Sequence, residues 1–216
     1  MADADLLLIH GAGGGAWEWA RWCRVLEAQG WRVQAMELQA VAAGLPATTL
    51  ADHAAQVRAA RERCRPQVLV GASLGGLLAQ IEAARAAPAA LVLVNALPLY
   101  ALRECPGSMR SEANVVCWRA SPDRRSTQRA MAGSAAADQA LAHALWRDES
   151  AAVLRAAAAR PEANWPRLAA RMLVVAGVED SHPGPACQTA LAGALGADLV
   201  RVAGAGHLEP LLGTVA

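Results

Sequence analysis

The feature that most constrains the fold is a regular alternation of short apolar runs with longer helical segments. The runs cover residues 6–9, 31–36, 68–70, 91–94, 172–176 and 199–202, and glycine, proline or polar residues bound each of them. Such runs are typical of strands that are buried on both faces. Helical segments over residues 17–28, 49–64, 74–87 and 185–195 supply crossover connections between parallel strands, and Thr49 and Asp52 are spaced as a capping box at the start of the second. The sequence therefore predicts an α/β fold with a mostly parallel twisted sheet of about six strands and helices on both faces.

Length and composition favour one globular domain over residues 1–216. The net charge is only +1, which leaves no large positive field to attract nucleic acid or an anionic membrane. No uncharged apolar stretch is long enough to span a bilayer. The acidic start of the chain, MADAD, lacks the basic and apolar regions of a secretory signal, so we expect a cytoplasmic protein.

Residues 97–171 break the alternation, because they contain no convincing strand pattern. Helices are predicted there over residues 122–131 after Ser121, 135–147 after Ser134, and 150–160. A helical insertion of this kind above an α/β sheet is most simply a small lid, which we place at about residues 99–165.

The cysteines and histidines do not indicate a metal or redox site. The five cysteines are scattered and form no CxxC pair, so neither a zinc site nor a disulfide framework is predicted. No histidine pair has HExxH spacing, and no metal is expected.

The central motif is GASLGG, residues 71–76, which follows an apolar run and begins a helical segment. Strand, sharp turn and helix in this order are the context of a nucleophile elbow, with Ser73 on a strained turn. The first N–H of the helix, from Leu74, would face a developing oxyanion. The alternative is a glycine-rich turn with a serine that has no chemical role.

A second glycine-rich loop, HGAGGGAWEW at residues 10–19, follows the first apolar run. A loop of this kind could hold phosphate, but Gly11, Gly13 and Gly15 do not complete the GxGxxG pattern of dinucleotide sites. No GKS or GKT follows either. No cofactor is therefore expected, and the N–H of Ala12 is predicted to be a second oxyanion donor.

Two further loops follow the last two apolar runs and carry an acid and a base. The segment GAGH places His207 among glycines, and GVED places Glu179 and Asp180 after the preceding strand. Serine, carboxylate and histidine occur in the chain order of a hydrolase triad, at strand ends that share one edge of the sheet. Asn95 also ends a predicted strand, but an amide carries no charge to stabilise an imidazolium.

The other four histidines are weaker candidates for a catalytic role. His10 is expected to shape the loop that it precedes, and His53 and His143 to be surface or packing residues. His182 is close to Asp180 in sequence and could line the site.

On these motifs the chain resembles the α/β-hydrolase fold superfamily over nearly its whole length. Its segment HGAGGGAWEW is similar to the HGxxxGAWxW opening of the branch that holds plant methylesterases and hydroxynitrile lyases. The resemblance implies chemistry without a cofactor, and an acid three residues after the glycine that ends its strand. It assigns the nucleophile to Ser73, the base to His207, the acid to Asp180, and the oxyanion donors to Ala12 and Leu74.

Three departures from that branch suggest a minimal scaffold. Ala72 stands where the branch usually has histidine, and the two strands that open larger members are absent. The chain also ends soon after His207, and such a short tail makes a homodimer possible.

The expected activity is hydrolysis of an ester or thioester with a small to medium apolar acyl group, through an acyl-enzyme. Trp17, Val116 and Trp118 are predicted to bind that small-molecule substrate. A lyase is one alternative, but the lyases of the resembling branch use a lysine near the histidine, and this chain has none. A ligand receptor or a cyclase-like biosynthetic protein on the same scaffold is another.

Overall fold

A computed structural model describes residues 4–105, 107, 112–119, 121, 123–131, 133–160 and 167–213. Its centre is a six-stranded sheet in which every pair is parallel. The strands are β1 (Leu6–Ile9), β2 (Val33–Ala35), β3 (Val68–Ala72), β4 (Ala90–Val94), β7 (Arg171–Gly177) and β8 (Asp198–Val202), in the spatial order β2-β1-β3-β4-β7-β8. Each strand overlaps its predicted run, so the predicted fold class is confirmed.

Eight α-helices occur among the described residues. They are α1 (Ala20–Ala28), α2 (Leu50–Cys64), α3 (Leu74–Arg85), α4 (Arg125–Ala130), α5 (Ala136–Leu145), α6 (Ala151–Ala158), α7 (Pro185–Leu195) and α8 (Glu209–Leu212). Two short 3₁₀ helices, Ala16–Trp19 and Leu45–Ala47, precede α1 and α2. No helix in the described part of the chain is both long and apolar enough to cross a bilayer.

The four inner strands β1, β3, β4 and β7 bury apolar side chains on both faces, as the apolar runs predict, whereas the edge strands β2 and β8 are partly exposed because each lacks a neighbour on one side. In β1, Leu7 and Ile9 join a core beneath α2, α3 and α7, whereas Leu6 and Leu8 join a second core with the buried Trp19. Alternate strand residues point to opposite faces, so an apolar run can serve both cores. Burial of each such leucine or isoleucine contributes about 1.5–3 kcal/mol of hydrophobic free energy.

Local sequence signals set the start of α2 and the place of the site. The Thr49 side chain accepts a hydrogen bond from the Asp52 N–H, and Asp52 accepts one from the Thr49 N–H, which confirms the capping box. The chain passes from β1 outward to β2 and returns to β3 on the other side of β1. The loops after β1 and β3 therefore flank a topological switch point, where open α/β sheets bind ligands.

The insertion between β4 and β7, which is the predicted lid, contains a pair of strands that the sequence did not predict. Val115–Val116 (β5) pairs antiparallel with Glu149–Ser150 (β6), so the expectation of no strand between residues 97 and 171 is wrong. Each strand has two residues, too few to produce a period. Ser150 caps α6, but α4 and α5 begin later than predicted and are not capped by Ser121 or Ser134. Residues 106, 108–111, 120, 122, 132 and 161–165 of the predicted lid lie outside the described residues.

A disulfide between Cys105 and Cys187 corrects the expectation from the cysteine pattern. It joins the segment after β4 to the first turn of α7, across a sequence separation of 82 residues. Only tertiary packing brings these two positions together, so their spacing gave no signal. Since disulfides are rare in the reducing cytosol, the bond weighs against the expected cytoplasmic location, which stays a prediction.

Candidate active site

Ser73 stands at the junction of β3 and α3 with a strained backbone, at φ 50° and ψ −119°. A positive φ is unfavourable for a residue with a side chain and persists only where the surroundings hold it. Here the Ser73 N–H donates to the Val94 carbonyl at 3.0 Å, and the Ser73 carbonyl accepts from the N–H groups of Gly76 and Leu97, both at 3.0 Å. The sheet and the start of α3 therefore hold the turn that presents this serine.

The loop of residues 11–15, which we call the oxyanion loop, lies directly against Ser73. A Cβ added to Gly11 would be 3.2 Å from the Ser73 Cβ. A side chain at Gly75 would overlap the carbonyl oxygens of Ile9 and His10, so α3 packs on the end of β1 without side chains between them. Ala12 and Leu74, the two predicted oxyanion donors, directly follow Gly11 and Ser73 in the chain.

His207 and Asp180 are hydrogen-bonded at the ends of β8 and β7. The His207 Nδ1 lies 2.8 Å from Asp180 Oδ2, and the backbone N–H of His182 donates to Asp180 Oδ1 at 2.8 Å. Asp180 is buried, whereas Glu179 and His182 are exposed. Burial by itself lowers the pKa of His207, but the hydrogen bond and the charge of Asp180 outweigh it and raise that pKa above its usual value of 6.5.

Asn95 connects the two loops that carry the acid and the base. Its Oδ1 accepts the Gly177 N–H at 2.8 Å, and its Nδ2 donates to the carbonyls of Gly206 at 3.2 Å and His207 at 2.8 Å. The sequence singled Asn95 out only as a rejected acid. Its position at the end of an otherwise apolar strand was the available signal for this structural role.

Glu209 also stabilises the loop that carries His207. Its buried carboxylate accepts the N–H of Gly206 at 2.6 Å and that of Gly133 at 2.9 Å, and the Ser134 hydroxyl at 3.1 Å. Sequence reasoning did not identify this residue. Its hydrogen bonds connect the loop of His207 to the segment between α4 and α5.

The oxyanion loop is held by Arg147 from the lid. The Arg147 N–H donates to the Gly13 carbonyl at 2.7 Å, and its Nε donates to the Gly14 carbonyl at 2.6 Å. The guanidinium also forms an ion pair with Glu37 at 2.7 Å and lies 3.2 Å from His10 Nε2. Burial lowers the pKa of His10 to about 4, so its ring is neutral, donates to the Gly11 carbonyl and shapes the loop as predicted.

Two buried carboxyls also contact the oxyanion loop, and neither was predicted. Glu18 accepts the Gly11 N–H at 3.3 Å, and Glu149 accepts the Gly13 N–H at 3.3 Å. His53, expected at the surface or in packing, is buried with its Nε2 3.5 Å from Glu149. His143 packs within the lid, where its Nε2 donates to the Ser121 carbonyl at 2.9 Å.

A small pocket opens between these groups. Its walls are formed by Gly11, Ala12, Glu18, Ala72, Ser73, Val94, Trp146, His207, Leu208 and Leu211. Even with its mouth included, the pocket encloses only about 290 Å³. Ser73 and His207 therefore face the same space, although no hydrogen bond joins their side chains in the described part of the structure.

The predicted substrate-binding residues lie behind or beside this pocket. The rings of Trp17 and Trp118 contact Trp146, with ring centroids 6.0 and 6.5 Å apart, and Trp146 itself forms the wall. Trp118 also covers Gly13. Val116 lies in β5, and among the described residues it is not part of the pocket wall. The described residues include no group of three or more His, Cys, Asp or Glu side chains that could hold a metal ion.

Comparison with known proteins identifies a family and several similar folds. The model of the alpha/beta hydrolase family matches residues 6–213. Polyneuridine aldehyde esterase is 19% identical, with 98% of this chain and 94% of that chain covered and a TM-score of 0.73. A methylesterase from Arabidopsis is 15% identical (96% and 92% covered, TM-score 0.75), and a pyrethroid hydrolase from Sphingobium faniae JZ-2 is 18% identical (98% and 92%, 0.72). No curated protein matches. At these identities the solved structures show a shared fold.

Proposed function

The chain belongs to the alpha/beta hydrolase family, and on that premise we propose that it is a serine hydrolase that cleaves an ester or thioester through an acyl-enzyme. One observation carries the proposal. The pocket that contains the strained Ser73 also contains His207, whose other ring nitrogen is 2.8 Å from the buried Asp180. Nucleophile, base and acid in this relation are the parts that acyl transfer needs.

In the first half of the reaction, the Ser73 hydroxyl attacks the carbonyl carbon while His207 Nε2 takes its proton. Asp180 keeps the imidazole proton on Nδ1 and stabilises the imidazolium that forms. A serine hydroxyl rotates freely, and catalytic hydrogen bonds often tighten only when substrate is bound. The open Ser73–His207 geometry is therefore compatible with this step.

The tetrahedral oxyanion is stabilised by the N–H groups of Ala12 and Leu74. The Leu74 N–H belongs to the first turn of α3, where backbone donors have no intrahelical partner and the helix dipole favours negative charge. The intermediate collapses when His207 protonates the departing alcohol or thiol. Water then attacks the acyl-enzyme with the same proton transfers and releases the acid.

The pocket favours a small apolar acyl group. Ala72, Val94, Leu208, Leu211 and Trp146 supply apolar walls, and the cavity without its open mouth is small, at about 30 Å³. Acetyl and other short acyl groups fit this volume better than long chains. The oxygen or sulfur leaving group would lie towards the open mouth.

A fluorophosphonate probe tests the nucleophile. The wild-type protein should be labelled once, and Ser73→Ala should abolish both labelling and hydrolysis of p-nitrophenyl acetate while circular dichroism stays unchanged. Ser126→Ala is the matched control, because Ser126 is an exposed serine of α4, outside the pocket. Labelling that persists in Ser73→Ala would refute the proposed nucleophile. Absence of labelling and hydrolysis in the wild type would favour a non-hydrolytic role.

A further inference from the structure

Glu18 is a buried carboxyl on the wall of the catalytic pocket, and no step of the proposed reaction uses it. It lies in the 3₁₀ helix Ala16–Trp19, directly after the oxyanion loop, and is only 1% exposed. The same pocket contains Ser73 and His207. A carboxyl is expensive to bury in ionised form, so its protonation state matters to whatever happens beside it.

The contacts of Glu18 are almost all with the backbone of the oxyanion loop. Its Oε2 accepts the Gly11 N–H at 3.3 Å, and its Oε1 occupies the space where a side chain at residue 14 would project from Gly14. Among the described residues, no second hydrogen bond reaches this carboxyl. Glu18 therefore supports the loop next to Ala12, the proposed oxyanion donor, with little compensation for a negative charge.

Glu149 also contacts the oxyanion loop, but several donors compensate its negative charge. Besides the Gly13 N–H, it accepts the Ser150 N–H at 2.8 Å, and its Oε1 lies 3.5 Å from His53 Nε2. Burial raises the pKa of Glu149, but these donors and the His53 charge lower it more, so the net shift is downward. For Glu18, burial outweighs the single Gly11 donor and raises the pKa to about 7.

Charged groups surround Glu18 on several elements and partly cancel. The charges of His207 after β8 and Arg147 in the lid favour the ionised form, whereas Glu37 after β2 opposes it. Burial remains the largest influence on this pKa. Elements packed against the 3₁₀ helix of Glu18 also carry Glu209 in α8 and Arg21, Cys23, Arg24 and Glu27 in α1, and His10 and Glu149 contact the same oxyanion loop.

We propose that Glu18 is a positioning residue that must keep its proton during acyl transfer, so that its ionisation sets the alkaline limit of the reaction. The inference rests on the proposed function. A carboxylate at the Gly11 N–H would lie one residue from the Ala12 donor and oppose the oxyanion that forms there. It would also hold a proton on His207 and so remove the base. The neutral acid does neither and still supports the loop.

This arrangement predicts a narrow pH optimum. His207 must be neutral to act as a base, so activity is lost as the pH falls through its raised pKa. Loss of a required proton from Glu18 lowers kcat/KM about tenfold for each pH unit above its pKa. Deprotonation of His207 cannot cause that alkaline decline, because it produces the active base.

The test compares kcat/KM for p-nitrophenyl acetate between pH 5 and pH 9 in the wild type, Glu18→Gln and Glu149→Gln. Glutamine keeps the shape and an acceptor oxygen for the Gly11 N–H but cannot ionise. Glu18→Gln should therefore remain on a plateau at pH 9, where the wild type has fallen on the order of 100-fold. Glu149→Gln is the matched control, because it removes the other buried carboxyl that contacts the oxyanion loop, and it should retain the alkaline decline. A decline at the same pH in Glu18→Gln and the wild type would overturn the inference.

A further variant, Glu18→Met, separates support of the loop from charge. Methionine has a similar volume but neither ionises nor accepts the Gly11 N–H. We expect a lower plateau than in Glu18→Gln, again without an alkaline decline. An alkaline decline that persists in Glu18→Met would also overturn the inference, even if Glu18→Gln did not fold.

Stability measurements test the ionisation without reference to activity. The folded-state pKa of about 7 lies above the ordinary value of 4.5, so the protonated carboxyl contributes stability that is complete below about pH 4.5 and is lost as the pH rises through 7. The urea midpoint of the wild type should therefore fall relative to that of Glu18→Gln between pH 5 and pH 8. Parallel midpoints would disprove the ionisation even if Ser73 labelling upheld the proposed function. Failure of labelling would refute that function itself.

Discussion

The two halves of the candidate site are held mainly by different parts of the molecule, although Glu209 also links the loop of His207 to Gly133 and Ser134 of the lid. The acid–base half consists of Asp180 and His207 with their loops after β7 and β8, and Asn95 at the end of β4 connects those loops. The oxyanion half consists of residues 11–15 and the side chains around them. There Arg147 and Glu149, which belong to the lid, contact Gly14 and Gly13, and Glu18 and His10 contact Gly11.

The acid–base half is therefore expected to be the more rigid part of the site, and the oxyanion half the more adjustable. Neighbouring strands of the sheet position the acid–base half, since β4, β7 and β8 are joined by continuous parallel pairing. The oxyanion half depends on an insertion and on charged groups, so substitutions in the lid and changes of pH should affect it first. The following predictions test that contrast in order of decreasing effect on activity.

The largest effect is expected in the acid–base half, from Asp180→Asn. The amide can still pair with His207 Nδ1 but leaves the wrong imidazole tautomer and no charge for the imidazolium, so kcat should fall about 10³–10⁴-fold. Hydrolysis of one ester by both Asp180→Asn and Glu179→Gln measures it. Glu179 is exposed and takes no part in the hydrogen bond between Asp180 and His207, so its substitution should lower kcat by less than about tenfold. A larger loss in Glu179→Gln would move the acid by one residue.

The second prediction concerns Asn95→Gly. Glycine tolerates the φ of 43° found at this position, so the variant removes the side-chain hydrogen bonds without adding backbone strain. Buried partners in Gly177, Gly206 and His207 would be left unsatisfied, at about 1–3 kcal/mol each. We expect a lower melting temperature, and kcat reduced on the order of 10–100-fold because the base loop shifts. Unchanged kcat would mean that the sheet positions the histidine without Asn95.

A smaller effect is expected in the oxyanion half, from Arg147→Met. The variant loses the contacts with Gly14, His10 and Glu37, and the proposed Ala12 donor should become less well oriented, at a cost of about tenfold in kcat. Arg21→Met is the matched control, since Arg21 is also about one-third exposed and ion-paired, but with Asp138 away from the pocket. If both variants behave alike, the lid does not organise the oxyanion loop.

The smallest effect on activity is expected from the disulfide. Replacing Cys105 and Cys187 by serine should lower the free energy of unfolding by about 2–4 kcal/mol, because the bond restricts the unfolded chain. The kcat should change little, since neither residue lines the pocket. Denaturant titration with and without a reducing agent measures the stability term. A large loss of kcat at full folding would show that the link to α7 also positions the Asp180 loop.

Much of the architecture and part of the site could be predicted from short stretches of sequence. The apolar runs placed the six strands, and the capping box placed the start of α2. The elbow motif predicted the strained turn at Ser73, and the ends of parallel strands predicted that the four loops share one edge. The pairing of Asp180 with His207 also followed the predicted order. These features are local or follow from the common direction of the strands, so neighbouring residues specify them.

The side chains that hold those loops, and the carboxyls that are buried beside them, follow from tertiary packing and not from local sequence. Asn95 contacts Gly206 across 111 residues, and Arg147 contacts Gly14 across 133. No spacing in the sequence predicts such contacts, because they depend on how the lid and the sheet edge pack together. Glu18 is the clearest case. A charged residue between two tryptophans does not indicate from sequence that it is buried. The pKa of the Glu18 carboxyl depends on the loop, lid and strands that exclude water from it.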